Sequence, residues 1–450
     1  MIQLFDRYSQ ESRDLHESLE AAGLSHVTVV IEPDGFLSDG ILSPFTYYLG
    51  YESGKALYFN QVAVPEFWEI AGNNQSAHIL EDSRERGVIH YVEAPQARLV
   101  KQVDWKDLSG RIYQADHYNR YGTCFAKTTY SADGQTILTK YQDAKGQEIV
   151  LENHVTGDIL LTLPGQALRH FKNRVEFTIF FLQDLGIDTR HLLFNTLATS
   201  FLVSYHYPDK TGQDILVWQE PLDDCLPGNM QLLLEQEGLR AKQILIPDKA
   251  TYEQALALAL ANPAYHDKFA HLGYHYQFKR ENFVRADALI VTNSDQIEHI
   301  ETLIESLPMV TFRIAAVTEM SSKLLTLLSY PNVVLYQNAS PQKIRELYQL
   351  SDLYLDINYG NELLDAVRQA FEHNMLILAF DQTAHNRPYT APEHLFDVQA
   401  VGDMIAKIQE ALSSLDKMGQ SLGHQGRHAN YVDLATYQER MERIIGDGHD

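Results

Sequence analysis

Asn361 and Gln369 stand eight residues apart, flanked by two short aliphatic runs at 353–356 and 376–380. If those runs are parallel strands of an open α/β sheet, the residues just past their C-terminal ends are the ones that meet a ligand. Both residues are amides, which exchange hydrogen bonds but bring no charge. The neighbouring carboxylates do not restore a charged pair at that spacing. Eight residues after Glu362 is Ala370, eight after Asp365 is His373, and eight before Glu372 is Leu364. Two other places where a phosphate could be held are equally bare. After the run 288–291, the chain continues Thr292-Asn293-Ser294-Asp295-Gln296-Ile297-Glu298, with no Arg or Lys between Arg285 and Arg313. Asp295 and Glu298 there would repel a diphosphate. After the first strand, Asp6 to Glu11 contain no glycine, so no backbone cradle for phosphate is expected. His271 and His275 sit at i, i+4 among Tyr274 and Tyr276, and aromatic packing is the alternative to a metal pair that lacks further ligands. Asp223-Asp224-Cys225 reads as a solvated loop. No Gly-x-Ser-x-Gly, His-Glu-x-x-His or Walker pattern occurs, and no metal or cofactor is expected.

The elements that position these residues follow from periodicity. The opening reads strand, helix, strand: Leu4 and Phe5, then Leu15, Leu19 and Ala22 at helical spacing with Gly23 as a cap, then 27–31. From about 88 to 163 the chain is rich in Tyr, Thr, Ile and Val. Gly134, Gly146 and Gly157 mark turns about a dozen residues apart, and strands are predicted at 121–130, 135–141, 147–153 and 158–163. This reads as an antiparallel meander inserted into a Rossmann-like domain. Helices are predicted at 173–185, 190–204, 230–237 and 251–261, and strands at 214–218 and 243–246. Beyond Arg285 a regular alternation resumes. Strands at 288–291, 310–316, 333–336, 353–356 and 376–380 alternate with helices at 295–306, 320–328, 341–350 and 361–373. The fold class is therefore α/β, two Rossmann-like domains with a parallel sheet in the second. The expected domains are 1–50 with 165–270, the meander at 51–164, the second Rossmann-like domain at 271–433, and a final helix at 434–450.

The chain of 450 residues carries a formal charge of −24. That balance argues against nucleic acid as a partner, since phosphate binding needs clustered Lys and Arg. Its two cysteines, Cys124 and Cys225, fit a reducing compartment. The chain begins on a strand rather than a signal peptide, and no apolar run is long enough to span a membrane. A cytoplasmic protein is expected.

The segment from Ser351 to Asp381 resembles the nucleotide-sugar site of retaining, family-4-like glycosyltransferases of the GT-B kind. Those carry a strand like Ala-Asp-Leu-Phe-Leu, a glutamate ten residues after the alanine, seven residues, a second glutamate, and an aliphatic strand. The glutamate positions here hold Asn361 and Gln369. The resemblance implies that the first glutamate would lie beside the donor sugar and the second would accept from the ribose hydroxyls. Losing both charges costs on the order of 3 kcal/mol, about a hundredfold in affinity.

The whole chain resembles one GT-B offshoot, the stabilising, chaperone-like subunits of the O-GlcNAc transferase that modifies serine-rich-repeat adhesins. The carriers are Ala288-Leu289-Ile290-Val291-Thr292-Asn293-Ser294-Asp295-Gln296-Ile297-Glu298-His299, Ile314-Ala315-Ala316-Val317-Thr318-Glu319-Met320-Ser321, and Ile215-Leu216-Val217-Trp218-Gln219-Glu220-Pro221. The resemblance implies a non-catalytic protein that binds the adhesin polypeptide as acceptor. It also implies a catalytic sister subunit that transfers GlcNAc from UDP-GlcNAc to Ser or Thr. Pairing through the two meanders is implied as well, as is peripheral membrane association near an accessory Sec export system. Candidate acceptor-binding residues are Trp218, Glu220, Thr318, Glu319, Ser321, Lys323, Asn358, Tyr359, Asn361 and Glu362, several of which could equally be helix caps. Tyr113, Tyr121, Tyr130 and Tyr141 are the candidate partner-facing residues of the meander. An active transferase with an unusual donor site, and a GT-B shell used only as an assembly scaffold, remain alternatives.

Overall fold

The computed structural model describes residues 1–450 except 25, 52, 74, 93–97, 260–262 and 447–450. It divides into two compact units, Met1–Gly273 with Leu434–Asp450, and Tyr274–Asp433.

The first unit holds a seven-stranded parallel sheet. Its order is Phe269–His271, Ala241–Ile246, Asp214–Val217, Leu192–Phe194, Ile2–Phe5, Val27–Val30, Ile41–Leu42. The strands are short and mostly apolar, with Ile2, Leu4 and Phe5 all fully buried, as a parallel sheet covered on both faces requires. Leu192–Phe194 is a correction to the helix predicted at 190–204. Three buried residues form the strand, and the helix is confined to Thr199–His206. A short apolar run gives no period by which strand and helix can be told apart.

Between Val27–Val30 and Leu192–Phe194 lies a ten-stranded antiparallel sheet running from Glu69–Gly72 to Arg169–Phe171, each strand paired with the next in the chain. It starts earlier than the Tyr- and Thr-rich stretch suggested, because Glu69–Gly72 and Ser76–Glu81 form a hairpin ahead of it. Gly134 and Gly146 adopt φ of +80° and +79° at two of the hairpin turns, a backbone region that glycine enters without a Cβ penalty. The meander's Tyr141, Ile159 and Phe171 pack with Phe177 of the helix Arg174–Asp184 and with Phe45 of the short helix Pro44–Tyr47. The last helix, Leu434–Gly446, also belongs to this unit, burying Tyr437 and Met441. Its Gln438 side chain donates to the carbonyl of Ala22 at 3.0 Å.

The second unit is a six-stranded parallel sheet in the order Val333–Tyr336, Thr311–Ala316, Asp287–Thr292, Leu353–Asp356, Leu376–Phe380, Leu395–Phe396. Two predicted helices start late here, at Ile300–Ser306 rather than 295 and at Ala366–Glu372 rather than 361. His299, Leu364 and Asp365 take φ of +49°, +60° and +49°. That left-handed geometry stops a right-handed helix from extending back through them, so the residues ahead of each helix form loops. Among the described residues no helix is long and apolar enough to cross a membrane.

Candidate functional site

In the second unit, strand order reverses between Asp287–Thr292 and Leu353–Asp356, the place where an open α/β sheet opens a ligand crevice. The loops that would border such a crevice are joined to each other. The Tyr359 N–H donates to the Gln296 carbonyl at 3.0 Å and the Glu298 N–H to the Ile357 carbonyl at 2.8 Å. Ile297 and Asn358 form an antiparallel bridge. The Tyr359 hydroxyl closes the outer edge on a Glu298 carboxylate oxygen at 2.5 Å. Gly360 fits because a Cβ there would collide with Asn293 Oδ1. Behind the loops, Asp356 accepts from the His385 N–H at 2.6 Å and contacts His385 Nδ1 at 2.7 Å, while His385 Nε2 lies 2.8 Å from the Gly360 carbonyl. The Asp356 hydrogen bond holds the His385 pKa above its ordinary value.

The two amides are placed differently. Asn361 is exposed in the loop, whereas Gln369 lies within the helix Ala366–Glu372. Its Oε1 accepts from Lys279 Nζ at 2.9 Å, and the same ammonium pairs with Glu372 at 2.6 Å. Glu362 turns inward and accepts from the Val367 N–H at 2.9 Å. Burial pushes its carboxyl pKa up, and Asp356 adds to the shift. The loop ends thus offer a nucleotide diphosphate carboxylates and amides, without the cationic pair that would offset its charge.

Three candidate residues require correction. Trp218 is only 5% exposed and packs among Phe194, Phe201 and Met230, so its ring is core and not a binding face. Asn358 is buried, with its amide donating to the Val291 carbonyl at 3.4 Å and accepting from the Gly360 N–H at 3.0 Å. Tyr141 is 2% exposed, its ring tilted against Phe45 and its hydroxyl on Glu152, and cannot face a partner. Tyr130 is half-buried, Tyr121 packs beside Tyr51 and Arg120, and Tyr113 is exposed. Thr318, Glu319, Lys323 and Glu220 are exposed. Ser321 is exposed too, but it caps the helix Ser322–Thr326 by accepting from the Leu324 N–H. The rings of His271 and His275 are engaged separately, His271 against Tyr252 and His275 on the Val432 carbonyl.

The first sheet reverses order between Ile2–Phe5 and Leu192–Phe194, and the residues filling that point were not legible beforehand. Asp6 accepts from Ser200 Oγ at 2.8 Å, from the Ser200 N–H at 3.3 Å and from the Thr196 hydroxyl. The Asn195 amide donates to Ser12 Oγ at 3.0 Å and Gln219 Oε1 at 2.8 Å, and Gln219 donates to the Glu11 carbonyl at 2.9 Å. Asn195, Thr196 and Ser200 follow the short strand that had read as helix, which hid their position at a strand end.

Sequence families cover most of the chain: the GtfB N-terminal domain at residues 2–48, the GtfB middle domain at 68–172, the GtfB third domain at 174–258, and the GftB/GlyA-F C-terminal domain at 288–425. A protein of Streptococcus pneumoniae serotype 4 (strain ATCC BAA-334 / TIGR4), named UDP-N-acetylglucosamine--peptide N-acetylglucosaminyltransferase stabilizing protein GtfB, is 69% identical over 446 residues. The match spans 99% of this chain and 100% of the relative. The chain belongs to the GtfB family. A GtfB of Streptococcus gordonii is 54% identical over 100% of both chains. A chain in the crystal structure of a GtfA/B complex bound to UDP and GlcNAc superposes with a TM-score of 0.95 at 54% identity, over 99% of this chain and 100% of that one. Among solved structures the α/β architecture of this GtfB-family chain is that of GT-B glycosyltransferases. Its added antiparallel sheet coincides with the GtfB middle domain match.

Proposed function

We propose that this GtfB-family chain is a non-catalytic stabilising subunit of a protein O-GlcNAc transferase. It pairs with a GtfA-type catalytic subunit, binds the unmodified serine-rich-repeat adhesin polypeptide and presents it for transfer of GlcNAc to Ser or Thr. The relatives' names and the GtfA/B complex support the pairing. The observation that carries the non-catalytic reading is the closure of the second sheet's switch point. The 296–298 and 357–359 stretches occupy each other's backbone groups where a nucleotide would need them, and Lys279 occupies the Gln369 amide. The reading assigns acceptor contacts to the exposed candidates Glu220, Thr318, Glu319, Lys323, Tyr359 and Asn361. It takes the domains as 1–50 with 165–270, 51–164, 271–433 and 434–450, and a cytoplasmic location with peripheral attachment at the membrane. The test is calorimetric titration of millimolar UDP-GlcNAc into the isolated chain, beside a transfer assay with and without the catalytic subunit. The expected results are no donor heat, no transfer by this chain alone, and transfer that depends on it when the partner is present. Donor binding at tens of micromolar or tighter, or sugar transfer by the pure chain, would overturn the reading.

A further inference from the structure

A trough of about 360 Å³ opens in the first unit where the meander meets the loops of the parallel sheet, with Arg7, Glu32, His117, Tyr130, His154 and Arg174 on its walls. That volume lies within the roughly 300–1,000 Å³ of small-ligand sites. Its floor is a hydrogen-bonded chain of four side chains crossing the sheet. His117 Nε2 meets Thr128 Oγ1 at 2.9 Å, Thr128 Oγ1 meets Thr139 Oγ1 at 3.0 Å, and Thr139 Oγ1 meets His154 Nε2 at 2.8 Å. Register builds the chain, since Thr128 and Thr139 are directly opposed on neighbouring antiparallel strands.

The charges around this floor cancel in pairs. Arg174 forks onto Glu152 at 2.5 and 3.1 Å, and Arg7 holds Glu32 at 2.6 Å. Burial lowers the pKa of both His117 and His154, so the imidazoles are neutral at physiological pH. An anion would find no free cation here, and a cation would find no free carboxylate. An apolar group would strand the hydroxyls and ring nitrogens.

Proton counting defines what does fit. Three contacts need three protons, and the two threonine hydroxyls supply two, so one imidazole Nε2 must carry the third. The other Nε2 accepts. The two rings are therefore opposite tautomers: one offers a bare Nδ1 and the other an Nδ1–H. A ligand hydroxyl, which both donates and accepts, matches either end.

We propose that this trough is a subsite for the neutral, hydroxyl-bearing residues of the acceptor polypeptide. The proposal rests on the acceptor-binding reading above. The hydroxyls could be those of serine and threonine side chains or those of N-acetylglucosamine already attached to them.

The experiment uses the full-length chain carrying ¹³C-labelled histidine. It is titrated with a synthetic uncharged peptide of serine, threonine and alanine, and separately with the same peptide bearing serine-linked GlcNAc. Ring signals of His117 and His154 should move, and T128V/T139V, assayed below its melting temperature, should weaken binding at least tenfold. T128S/T139S should restore it. Ring shifts with the bare peptide identify side-chain hydroxyls as the recognised groups, and shifts with the glycopeptide alone identify the sugar. Full-strength peptide binding by T128V/T139V with unmoved ring signals would overturn the trough and leave the acceptor reading standing. No binding of either peptide to the unaltered chain would overturn both.

Discussion

At the switch point of the first parallel sheet the loops are tied by side chains, with Asp6, Asn195, Thr196, Ser200 and Gln219 bonding one another. At that of the second sheet they are tied by main chain, with 296–298 running against 357–359. Side-chain ties can be removed one residue at a time without changing the path of the backbone. Main-chain ties cannot, because every residue type except proline carries the same donor and acceptor. In the first sheet a handful of identities decide what the crevice can hold. In the second the left-handed turns at His299, Leu364 and Asp365 decide it, before any side chain is considered.

The sheets also differ in how they carry buried charge, and this gives the largest expected effect. In the first unit Asp214 and Arg240 are both fully buried, joined at 2.9 Å through two guanidinium nitrogens, with Ser204 and the Leu192 N–H completing the carboxylate. Arg240→Met leaves that carboxylate buried without its cation and should cost about 3–5 kcal/mol. In the second unit the buried Asp352 is held by Arg280 at 2.5 Å and by the N–H groups of Phe283 and Arg285, with the Arg285 side chain farther off at 3.5 Å. Arg285→Ala should cost about 1 kcal/mol or less, since its redundant, partly exposed pairing is weak. Urea unfolding of the two variants measures the contrast, and equal losses would break it.

The second unit also carries an unmatched buried group. His394 is fully buried, and neither ring nitrogen has a partner. Burial lowers its pKa from 6.5 to about 4; Lys407, His424 and His428 push the same way and Glu393 opposes them. The unfolded chain takes up this proton first as pH falls. Stability from this site is therefore intact above 6.5 and declines as pH falls toward 4, by about 3 kcal/mol in total. His394→Leu should flatten that stretch of the pH–stability curve and raise stability at neutral pH by about 1 kcal/mol or more, since it removes an unpaired donor. A curve of unchanged slope between pH 4 and 6.5 would show that other groups set the acid response.

The second sheet was largely legible from sequence because five of its six strands are aliphatic runs bounded by helical spacing; the sixth, Leu395–Phe396, was not predicted, since two residues show no pattern. The runs 353–356 and 376–380 became Leu353–Asp356 and Leu376–Phe380. The loop pairing beyond them was not, because it joins backbone groups about sixty residues apart and turns on positive φ at His299 and Leu364, residue types that do not announce it. The first unit was harder for another reason. Leu192–Phe194 is too short to show a period, and the early hairpin at Glu69–Glu81 falls in a stretch whose Glu, Gly, Asn and Gln mask alternation. The amides at 361 and 369 were visible as a loss of charge. That Gln369 would be claimed by Lys279 depends on a tertiary approach across ninety residues, which no local pattern encodes.

Gly360 tests whether main chain alone keeps the second switch point shut. Gly360→Ala sets a Cβ against Asn293 Oδ1 and should cost roughly 1–3 kcal/mol as overpacking. Its signature would be local. Amide exchange should quicken at Tyr359 and Glu298, whose N–H groups make the loop pairing, while the core strands Leu353–Asp356 and Leu376–Phe380 keep their protection. If exchange rises evenly over the sheet, the two loops are not an independent closure.

The smallest expected effect is the most discriminating. Asn361→Glu with Gln369→Glu restores both carboxylates of the retaining-transferase pattern. If charge were all that had been lost, the double variant should gain about a hundredfold in UDP-GlcNAc affinity, the inverse of the cost of losing it. The geometry argues for almost no gain. Lys279 already sits 2.9 Å from the Gln369 oxygen, so a glutamate there would form an ion pair with it rather than wait for a ribose. That pair would be partly exposed, adding at most about 1 kcal/mol of stability. Asn361 lies beyond loops whose backbone groups are already spent on each other, and the stretch before Arg313 supplies no cation for the diphosphate. A slight rise in melting temperature with no calorimetric heat from the nucleotide sugar would place the barrier in the main-chain closure. A recovered donor site would place it in the two side chains, and the contrast between the sheets would then reduce to composition.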